Sequence, residues 1–475
     1  MPLNSLPFLC FLPLLWIIFR FTPPLWRWVV LLLFSLLMIG YFRPWALAVV
    51  VCSSCFTYTA ARAIPRKQYP KLILCVSLVL QGIALLLLRY VESDNSGLRF
   101  QLQESGFRTD TIFYTLGFSF YTLQHIGYLI DVYYGRIQAE TNPFRFLLFS
   151  SFFAKFNAGP LEQPSKLLPQ FLNPNPVQED LSYGLQRIVL GLFKKMVLAN
   201  HLAPVVERVF GNSGTLGSLT VMAGVMLFTL QLYFDFSAYC DLAIGIARLF
   251  GIQLSENFLF PLFSDSVSVF WRRWHITLIT WFTTYIYYPV VYRLRTYGQA
   301  AVIAGITLTF LISGIWHGMG QTFLIWSLLH ALYLTYESLS KHTRLGWAAR
   351  FPSTVYRLFS MGLTFVLVCF SNLFFRAGNM TQAQHLLEAL TQVPFAHQGL
   401  VNGFLAPLAG GGYQEALFNL GMLFVFMLVY LGAEKKVYAR INTGGFYALQ
   451  LFILLFLILV TGVFQKLDSF IYLQF

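Results

Sequence analysis

Charged side chains are scarce in this chain of 475 residues. Asp, Glu, Lys and Arg make up only 11% of it, while hydrophobic residues reach 57% and aromatic residues 18%. Soluble domains carry about 25% charged residues, and a water-soluble core could not bury so much apolar surface. The composition therefore excludes a soluble globular domain and indicates an all-α polytopic membrane protein.

Acidic residues are the scarcer charged type, with 19 Asp and Glu against 32 Lys and Arg. The resulting net charge of +13 would suit a nucleic-acid partner. However, the basic residues lie in short loops between apolar segments, where they set membrane topology, and no RNA- or DNA-binding motif accompanies them. We therefore expect the lipid bilayer as a partner and no nucleic acid.

Cysteine and histidine are also few, with six and eight residues. Cys52 and Cys55 form a CxxC inside an apolar segment with no second pair or nearby histidine, so we interpret them as packing residues. The histidines lack a short ligand spacing such as HxxxH, and no metal site is predicted. No basic region precedes the apolar stretch 7–19, which we interpret as a first membrane segment rather than a cleavable signal peptide.

Long apolar runs are abundant, and many approach the roughly 20 residues that a spanning helix needs. Because no internal repeat, soluble domain or long linker separates them, we predict one integral membrane domain over 1–475. Within it we distinguish N-terminal helices in 1–109, a catalytic core in 110–340 and C-terminal helices in 341–475. The predicted spans are 7–20, 26–42, 45–61, 71–90, 110–134, 184–203, 216–249, 300–316, 321–338, 354–375, 415–433 and 445–465.

Two stretches, 146–171 and 255–295, depart from the spanning pattern because they mix apolar runs with Pro, Gly and paired charges. Irregular backbone at membrane depth is tolerated only where protein buries it or where it lines a watery cavity. We predict that both are re-entrant or interfacial elements around a central cavity. The basic loop from Arg62 to Lys71 is predicted to be cytoplasmic, which places the N-terminus outside the cytoplasm.

Polar chemistry concentrates between residues 270 and 330. Arg272 and Arg273, flanked by Trp271 and Trp274, fit an interfacial anchor, since guanidinium groups reach to lipid headgroups. They equally fit an anion site for a phosphate-bearing donor, because a guanidinium binds phosphate as a planar fork. His275 follows directly and adds a polar group that an anchor does not need.

His317 lies in Gly314-Ile-Trp-His-Gly318 at the end of an apolar segment. A neutral imidazole is well suited to take a proton from a hydroxyl near neutral pH, although a buried structural histidine is the alternative interpretation. One loop and one return helix separate His275 from His317, so the two rings could face each other. On an unbroken helix His317 and His330 would lie on different faces, but glycines 318 and 320 can break it, and His330 is a secondary candidate.

Asp235 and Asp241 interrupt another long apolar segment, and Asp235 shares one helix face with Gln231 and Tyr239. Polar residues inside a membrane helix should face a cavity or bind a partner charge. A structural ion pair and a substrate contact are both consistent with Asp235, so Asp235 and Tyr239 are further secondary candidates.

Short motifs that carry a family resemblance extend along nearly the whole chain. They are Asn4–Pro13, Gly117–Gln124, Tyr128–Tyr133, Ala158–Pro160, Tyr233–Tyr239, Phe270–His275, Gly314–Gly318, Phe374–Ala377 and Phe470–Phe475. In this order and spacing they resemble the membrane-bound O-acyltransferase (MBOAT) family, and within it the bacterial alginate-acetylation branch. Two features depart from the family pattern: Ala154-Lys155 replaces the usual proline, and Leu329-His330-Ala331 replaces a second Trp-His-Gly.

The resemblance implies a bundle of roughly 11–13 transmembrane or re-entrant helices around a central funnel or tunnel. It implies that His317 matches the family's essential histidine and that His275 matches its upstream polar partner. It also implies a bacterial inner-membrane protein, with the N-terminus then periplasmic. Such a protein passes acetyl from a cytoplasmic thioester donor, acetyl-CoA or an acyl-carrier protein, to an exopolysaccharide, directly or through a periplasmic acetyltransferase of a secretion complex.

We therefore predict an O-acyltransferase with no bound cofactor, in which His317 is the general base and His275 orients the acyl group or polarises its carbonyl. The predicted donor-binding residues are Arg272, Arg273, Trp274 and Trp316. Three alternatives stay open: D-alanyl transfer from a carrier protein to a teichoic-acid-like polymer, a non-enzymatic acyl or polymer transporter, and a non-catalytic scaffold. A transporter would often show internal repeats, which this sequence lacks.

Overall fold

The computed structural model describes residues 3–92, 117–211, 217–391, 432, 444–463 and 470. Regular structure within these residues is helical, with no strand, which confirms the all-α prediction. The α-helices are α1 Leu6–Phe21, α2 Arg27–Phe42, α3 Pro44–Ala63, α4 Pro70–Glu92, α5 Phe118–Tyr133, α6 Pro143–Ser151, α7 Pro164–Leu167, α8 Gln178–Phe193, α9 Asn200–Gly211, α10 Ser218–Leu249, α11 Val267–Arg273, α12 Ile276–Phe282, α13 Tyr288–Arg293, α14 Gln299–His317, α15 Gln321–Leu339, α16 Lys341–Arg350, α17 Ser353–Arg376, α18 Met380–Thr391 and α19 Gly444–Thr461. Short 3-10 segments cover Pro24–Trp26, Leu168–Phe171, Pro261–Phe263 and Arg295–Tyr297, and π-helical turns cover Lys194–Ala199 and Thr283–Tyr287.

Seven helical stretches among the described residues are long and apolar enough to cross a membrane. They are Pro24–Tyr41, Pro44–Ala63, Pro70–Leu87, Gln178–Gly211, Ser218–Leu249, Gln299–His317 and Ser353–Arg376. Leu6–Phe21 and Leu451–Thr461 are shorter apolar helices, and the predicted span 321–338 is helical as α15 without being among the seven. Parts of the predicted sequence features lie outside the described residues. These parts are 110–116, the predicted span 415–433 apart from Gly432, and 471–475.

Sequence features explain where several of these helices begin. Pro44 and Pro143 are the first residues of α3 and α6, a position where proline costs no hydrogen bond and its fixed φ suits a helix. The Asn142 side chain accepts hydrogen bonds from the Phe144 and Arg145 amides and so caps α6.

The described chain divides into two compact units. The first comprises residues 1–188 and 239–256, and the second comprises residues 189–238 and 257–475. The single membrane domain, its internal boundaries at 109 and 340, and the central funnel stay predictions.

The first unit buries an irregular segment between α6 and α7. The Lys155 amine donates a hydrogen bond to Gln124 Oε1 at 2.8 Å, and the Glu162 carboxylate accepts from the Ser255 amide and hydroxyl. Phe153 packs its ring against those of Phe34 and Phe250. The predicted interruption of 146–171 is therefore present, and its re-entrant position in the membrane stays a prediction.

A buried ion pair within the first unit joins α8 to the C-terminal part of α10. Arg187 of α8 pairs with Asp241 of α10 and forms a forked pair with Glu256, with both N–O distances at 2.9 Å. The same helices approach closely at Gly184 and Gly245, because a Cβ on Gly245 would lie 2.6 Å from the Gly184 carbonyl oxygen. The ion pair and the two glycines together fix the close contact between α8 and α10.

The second unit packs α14 along α15, α15 along α17, and the short helix α11 against α15. Lys195, in the π-helical turn 194–199, donates to Asp235 Oδ1 at 2.6 Å, and both side chains are buried. His317 and His330 lie on α14 and α15, and His275 follows the end of α11.

Candidate active site

His275 occupies the break between α11 and α12. Its φ of 47° lies in the left-handed region, which non-glycine residues rarely adopt and which is enriched at functional sites. The start of α11 is held by Ser266 Oγ, which accepts from the Val269 amide, and by the Glu337 carboxylate, which accepts from the Val267 and Ser268 amides. The chain therefore turns at His275 directly after a helix whose start is capped.

Asn257 holds the other side of this turn. Its Oδ1 accepts from the Thr277 amide at 3.1 Å and the Thr277 hydroxyl at 2.8 Å, and lies 3.3 Å from His275 Nδ1. Since Oδ1 accepts from an amide, it is the carbonyl oxygen, and His275 Nδ1 must carry the proton that faces it. The Asn257 backbone carbonyl also accepts from the Ile276 amide at 3.0 Å.

This network leaves Nε2 as the basic nitrogen of His275. The residue lies outside the seven long apolar helices, and burial lowers the pKa of its imidazole well below the usual range. His275 is therefore a neutral ring that accepts, rather than donates, a hydrogen bond at Nε2.

His317 is the last residue of α14, and glycines around it allow α15 to approach. A Cβ on Gly314 would lie 2.7 Å from Ser327 Oγ, and one on Gly318 would lie 2.4 Å from the Phe323 ring. A larger residue at position 314 would push the two helices apart, and one at position 318 would displace the Phe323 ring. The Gly-Ile-Trp-His-Gly motif thus places the His317 backbone close to α15.

Aromatic rings surround the His317 imidazole, which is 8% exposed. Ring centroids lie 4.7 Å away for Trp316, 5.1 Å for Trp326 and 5.2 Å for Phe375. These contacts fix the imidazole in a largely apolar setting.

His275, His317 and His330 line one small cavity of about 30 Å³, which we call the histidine chamber. The other lining residues are Leu232, Phe270, Trp271, Trp274, Leu278, Ile279, Ser313, Trp326, Asn372 and Phe375. A volume of this size has room for about two water molecules. The structure therefore brings together the two histidines that the sequence predicted could face each other, and adds the third.

His330 reaches the chamber from α15 because the chain breaks at Gly318 between α14 and α15. The Trp271 indole N–H donates to His330 Nδ1 at 3.3 Å, which assigns the ring proton of His330 to Nε2. His330 is 1% exposed. Its catalytic role stays a prediction.

A second, larger cavity of about 840 Å³ adjoins the chamber, and we call it the large cavity. The two cavities share Trp271, Ile279 and Ser313. Val302, Ile306, Phe310 and Leu334 line the apolar part of the large cavity. Its charged lining residues are Asp265, Arg272, Glu337, Lys341, Arg344 and Arg357.

The four predicted donor-binding residues do not all line the same cavity. Arg272 lines the large cavity, and Trp274 lines the histidine chamber. Arg273 Nη1 donates to the Phe263 carbonyl at 3.4 Å and lines neither cavity. Trp316 also lines neither cavity but contacts the His317 ring. Donor binding by all four stays a prediction.

Asp235 does not line either cavity and forms the ion pair with Lys195. Of the two interpretations that the sequence left open for Asp235, the structure contains the ion pair. Tyr239 belongs to the first unit, where its buried hydroxyl lies near the backbone of Asn157 and Ala158. A role for either residue in the reaction stays a prediction.

Sequence reasoning missed Asn257 and Asn372. Asn372 lines the chamber, and its Nδ2 donates to Thr229 Oγ1 at 3.1 Å. A signal for Asn372 was present, because an amide inside the predicted span 354–375 is by default functional. Asn257 lies in an irregular segment, where a polar residue is ordinary, and only its contact with His275 identifies it.

Within the described ranges, no three His, Cys, Asp or Glu side chains come together as a metal site would require. The expectation of a reaction without a resident metal stays a prediction.

Comparison with known proteins gives matches across most of the chain. The model of the MBOAT, membrane-bound O-acyltransferase family matches residues 139–376. The chain is 31% identical over 399 residues to the peptidoglycan O-acetyltransferase of Helicobacter pylori, covering 78% of this chain and 73% of that protein. It is 31% identical over 388 residues to the probable alginate O-acetylase AlgI of Azotobacter vinelandii, covering 80% and 76%. It is 27% identical over 269 residues to the teichoic acid D-alanyltransferase of Bacillus subtilis, covering 54% and 67%.

The family match covers half of the chain and includes Asn257, His275, His317, His330 and Phe375. The residues that line the histidine chamber thus all fall inside the matched region. Together with the helices able to span a membrane, the match establishes that this chain belongs to the membrane-bound O-acyltransferase family and is a multi-pass membrane O-acyltransferase.

Proposed function

We propose that the chain transfers acetyl from a thioester donor to a hydroxyl group of a polysaccharide or of its transferase, with His317 as general base. One observation carries this proposal: His317 and His275 line one small chamber that shares three residues with a cavity large enough for a donor. Ligand sites usually measure about 300–1,000 Å³, and the large cavity, at about 840 Å³, falls in this range.

In the proposed reaction His317 removes the proton of the acceptor hydroxyl, and the hydroxyl oxygen bonds to the thioester carbonyl carbon. The tetrahedral intermediate then breaks its C–S bond. The thiolate leaves with the bonding electrons and takes the proton from His317, so the base is regenerated and no oxidant or metal is consumed. Positioned base catalysis of this kind typically contributes about 10²–10⁴-fold.

His275 is suited to orienting the acceptor hydroxyl. Its Nδ1 proton faces Asn257 and its Nε2 is basic, so the neutral ring offers no proton to a carbonyl oxygen. The two roles predicted for His275 were orienting the acyl group and polarising its carbonyl. This tautomer argues against polarisation, and orientation of the acceptor hydroxyl is a third role that we propose here.

The large cavity fits a donor with an apolar arm and an anionic head. Val302, Ile306, Phe310 and Leu334 give it an apolar wall on α14 and α15, while Lys341 and Arg357 are exposed cations on α16 and α17. Neither cation forms a hydrogen bond or ion pair with another described residue. In contrast, Arg344 donates to the Glu337 carbonyl at 2.6 Å. Lys341, Arg357 and Arg272 could therefore bind the phosphates of acetyl-CoA.

The lining of the histidine chamber supports acetyl over D-alanyl as the acyl group. D-alanyl carries an ammonium, and a buried charge requires a partner. No Asp or Glu lines the chamber among the residues that the structure describes. A volume of about 30 Å³ also favours the smaller, uncharged acetyl group.

We further propose a position in the bacterial inner membrane, with the donor entering from the cytoplasm. The excess of Lys and Arg around the large cavity supports a cytoplasmic opening. The names of the two acetyltransferase relatives, which specify peptidoglycan and alginate, support a polysaccharide acceptor. That acceptor would be reached from the periplasm, directly or through a transferase of a secretion complex, and the N-terminus would be periplasmic.

A donor comparison tests this proposal. Purified protein in neutral detergent is given acetyl-CoA, acetyl-pantetheine or a D-alanyl-charged carrier protein, with polysaccharide and periplasmic extract as acceptor sources. We expect thiol release and new acetyl ester with the two acetyl donors, and little reaction with the D-alanyl donor. Replacing both Lys341 and Arg357 with Gln should raise the KM for acetyl-CoA about tenfold, equivalent to about 1.4 kcal/mol, and leave the KM for acetyl-pantetheine unchanged.

Arg350→Gln is the matched control. Arg350 is an exposed cation on α16, the helix that carries Lys341, but it does not line the large cavity. It should leave both KM values unchanged. Efficient use of the D-alanyl donor alone would replace the acetyl proposal with the D-alanyl one. An equal rise of both KM values in the double variant would contradict phosphate binding at Lys341 and Arg357.

A further inference from the structure

Trp326 has a buried N–H with unused hydrogen-bonding capacity. The residue is 4% exposed, and its Nε1 has no hydrogen-bond acceptor among the described residues. Nearly all buried polar groups in native proteins are paired, because an unpaired one costs folding free energy. A donor left in this condition is therefore a candidate for a role that appears only when substrate is bound.

The location of Trp326 indicates what that role is. Its ring lines the histidine chamber, 5.1 Å from the His317 ring and 5.2 Å from the Phe375 ring. Two other N–H groups of the chamber already have acceptors: Trp271 Nε1 donates to His330, and His275 Nδ1 faces Asn257.

The reaction in the chamber needs such a donor. When the acceptor oxygen attacks the thioester, an electron pair moves onto the carbonyl oxygen, and preorganised N–H groups stabilise the resulting oxyanion. The neutral His275 tautomer cannot donate to that oxygen, since its Nε2 carries the lone pair. The Trp326 indole packs against the proposed base, and its buried Nε1 has a proton to offer.

We propose that the Trp326 indole N–H stabilises the oxyanion of the tetrahedral intermediate. This inference depends on the proposed acetyl transfer at His317. The indole keeps its proton throughout: it strengthens a hydrogen bond as negative charge forms on the carbonyl oxygen. It weakens that bond again when the electron pair re-forms the carbonyl and the thiolate leaves.

Trp326→Phe tests the proposal because it removes the N–H and keeps an aromatic ring. We expect kcat for acetyl transfer to fall by about 10²-fold, as removal of an oxyanion donor does elsewhere. The KM for acetyl-CoA should change little, because the bond forms in the transition state. The thermal unfolding midpoint should change little, since loss of the unpaired donor offsets the loss of ring volume.

Trp16→Phe is the control from the first unit, where Trp16 Nε1 donates to the Leu249 carbonyl at 3.1 Å. It removes a satisfied N–H, so it should lower the midpoint and leave kcat unchanged. A second variant has 3-benzothienylalanine at position 326, which keeps the bicyclic ring and replaces only the N–H with sulfur. It should reproduce the kcat loss of Trp326→Phe even if the smaller phenyl ring disturbs packing.

The outcomes separate the two proposals. If the benzothienyl variant keeps the wild-type kcat while His317→Ala loses activity, the oxyanion role of Trp326 is wrong and the proposed function stands. If kcat falls only in Trp326→Phe, and its midpoint falls with it, Trp326 acts by packing. If His317→Ala retains full activity, the proposed function is wrong, and the role inferred for Trp326 is wrong with it.

Discussion

Replacing His317 with alanine is expected to reduce acetyl transfer by about 10²–10⁴-fold, because the acceptor hydroxyl then loses its general base. The His317 ring is enclosed by Trp316, Trp326 and Phe375, so bulk water has little access to replace it. The measurement is the initial rate of acetyl ester formation on the polysaccharide by purified protein, normalised to the monodisperse folded fraction.

His317→Gln and His385→Ala make this result specific. Glutamine keeps polar side-chain volume at position 317 but is not a base, so it should be as inactive as alanine. His385 is exposed on α18 and lines neither cavity, so its replacement should leave the rate unchanged. Wild-type rates in both His317 variants would rule out His317 as the general base.

Asn257→Ala is expected to lower kcat by about 10²-fold, the size of effect that a misplaced reacting group produces. The variant leaves the Thr277 amide, the Thr277 hydroxyl and His275 Nδ1–H without their shared acceptor, and each unpaired donor costs about 1–3 kcal/mol. The left-handed backbone at His275 then loses the contacts that hold it. Steady-state kinetics should show the loss in kcat rather than in the KM for the donor.

A double-mutant cycle distinguishes positioning from general damage. If Asn257 acts through His275, adding Asn257→Ala to His275→Ala should cause little further loss of kcat. Asn200→Ala serves as the control, since Asn200 donates to the Val463 carbonyl at 3.2 Å and lines neither cavity. Fully additive losses at positions 257 and 275 would contradict the positioning role.

Apolar run length made the helical architecture predictable from the sequence. The runs at 26–42, 45–61 and 300–316 coincide with α2, α3 and α14, because a chain in lipid must satisfy its backbone hydrogen bonds internally. The interruptions at 146–171 and 255–295 were predictable for the same reason, since proline, glycine and charge break such runs.

The histidines were predictable because polar groups at membrane depth are costly and therefore informative. Their immediate partners were not. The hydrogen bond between Asn257 and His275 and that between Trp271 and His330 join different elements. Such pairs depend on how the helices pack, which local sequence patterns do not encode.

Asp235 illustrates the same limit. Its helix face was predictable from the spacing with Gln231 and Tyr239, but Lys195 as its partner was not, because Lys195 lies on a separate π-helical turn. Arg272 and Arg273 are adjacent and identical in type, yet only Arg272 lines the large cavity. A helix of seven residues is too short for its sequence periodicity to show which of the two arginines faces the cavity.

A structure of the protein with a non-transferable donor would test the site assignment most directly. The ligand would be an acetyl-CoA analogue in which a methylene group replaces the thioester sulfur, and the structure would be determined by electron cryo-microscopy in lipid nanodiscs. We expect the acetyl carbonyl in the histidine chamber beside His317, with its oxygen near Trp326 Nε1 and the phosphates beside Lys341 and Arg357. A carbonyl bound outside the chamber, away from His317, would contradict acyl transfer at this site.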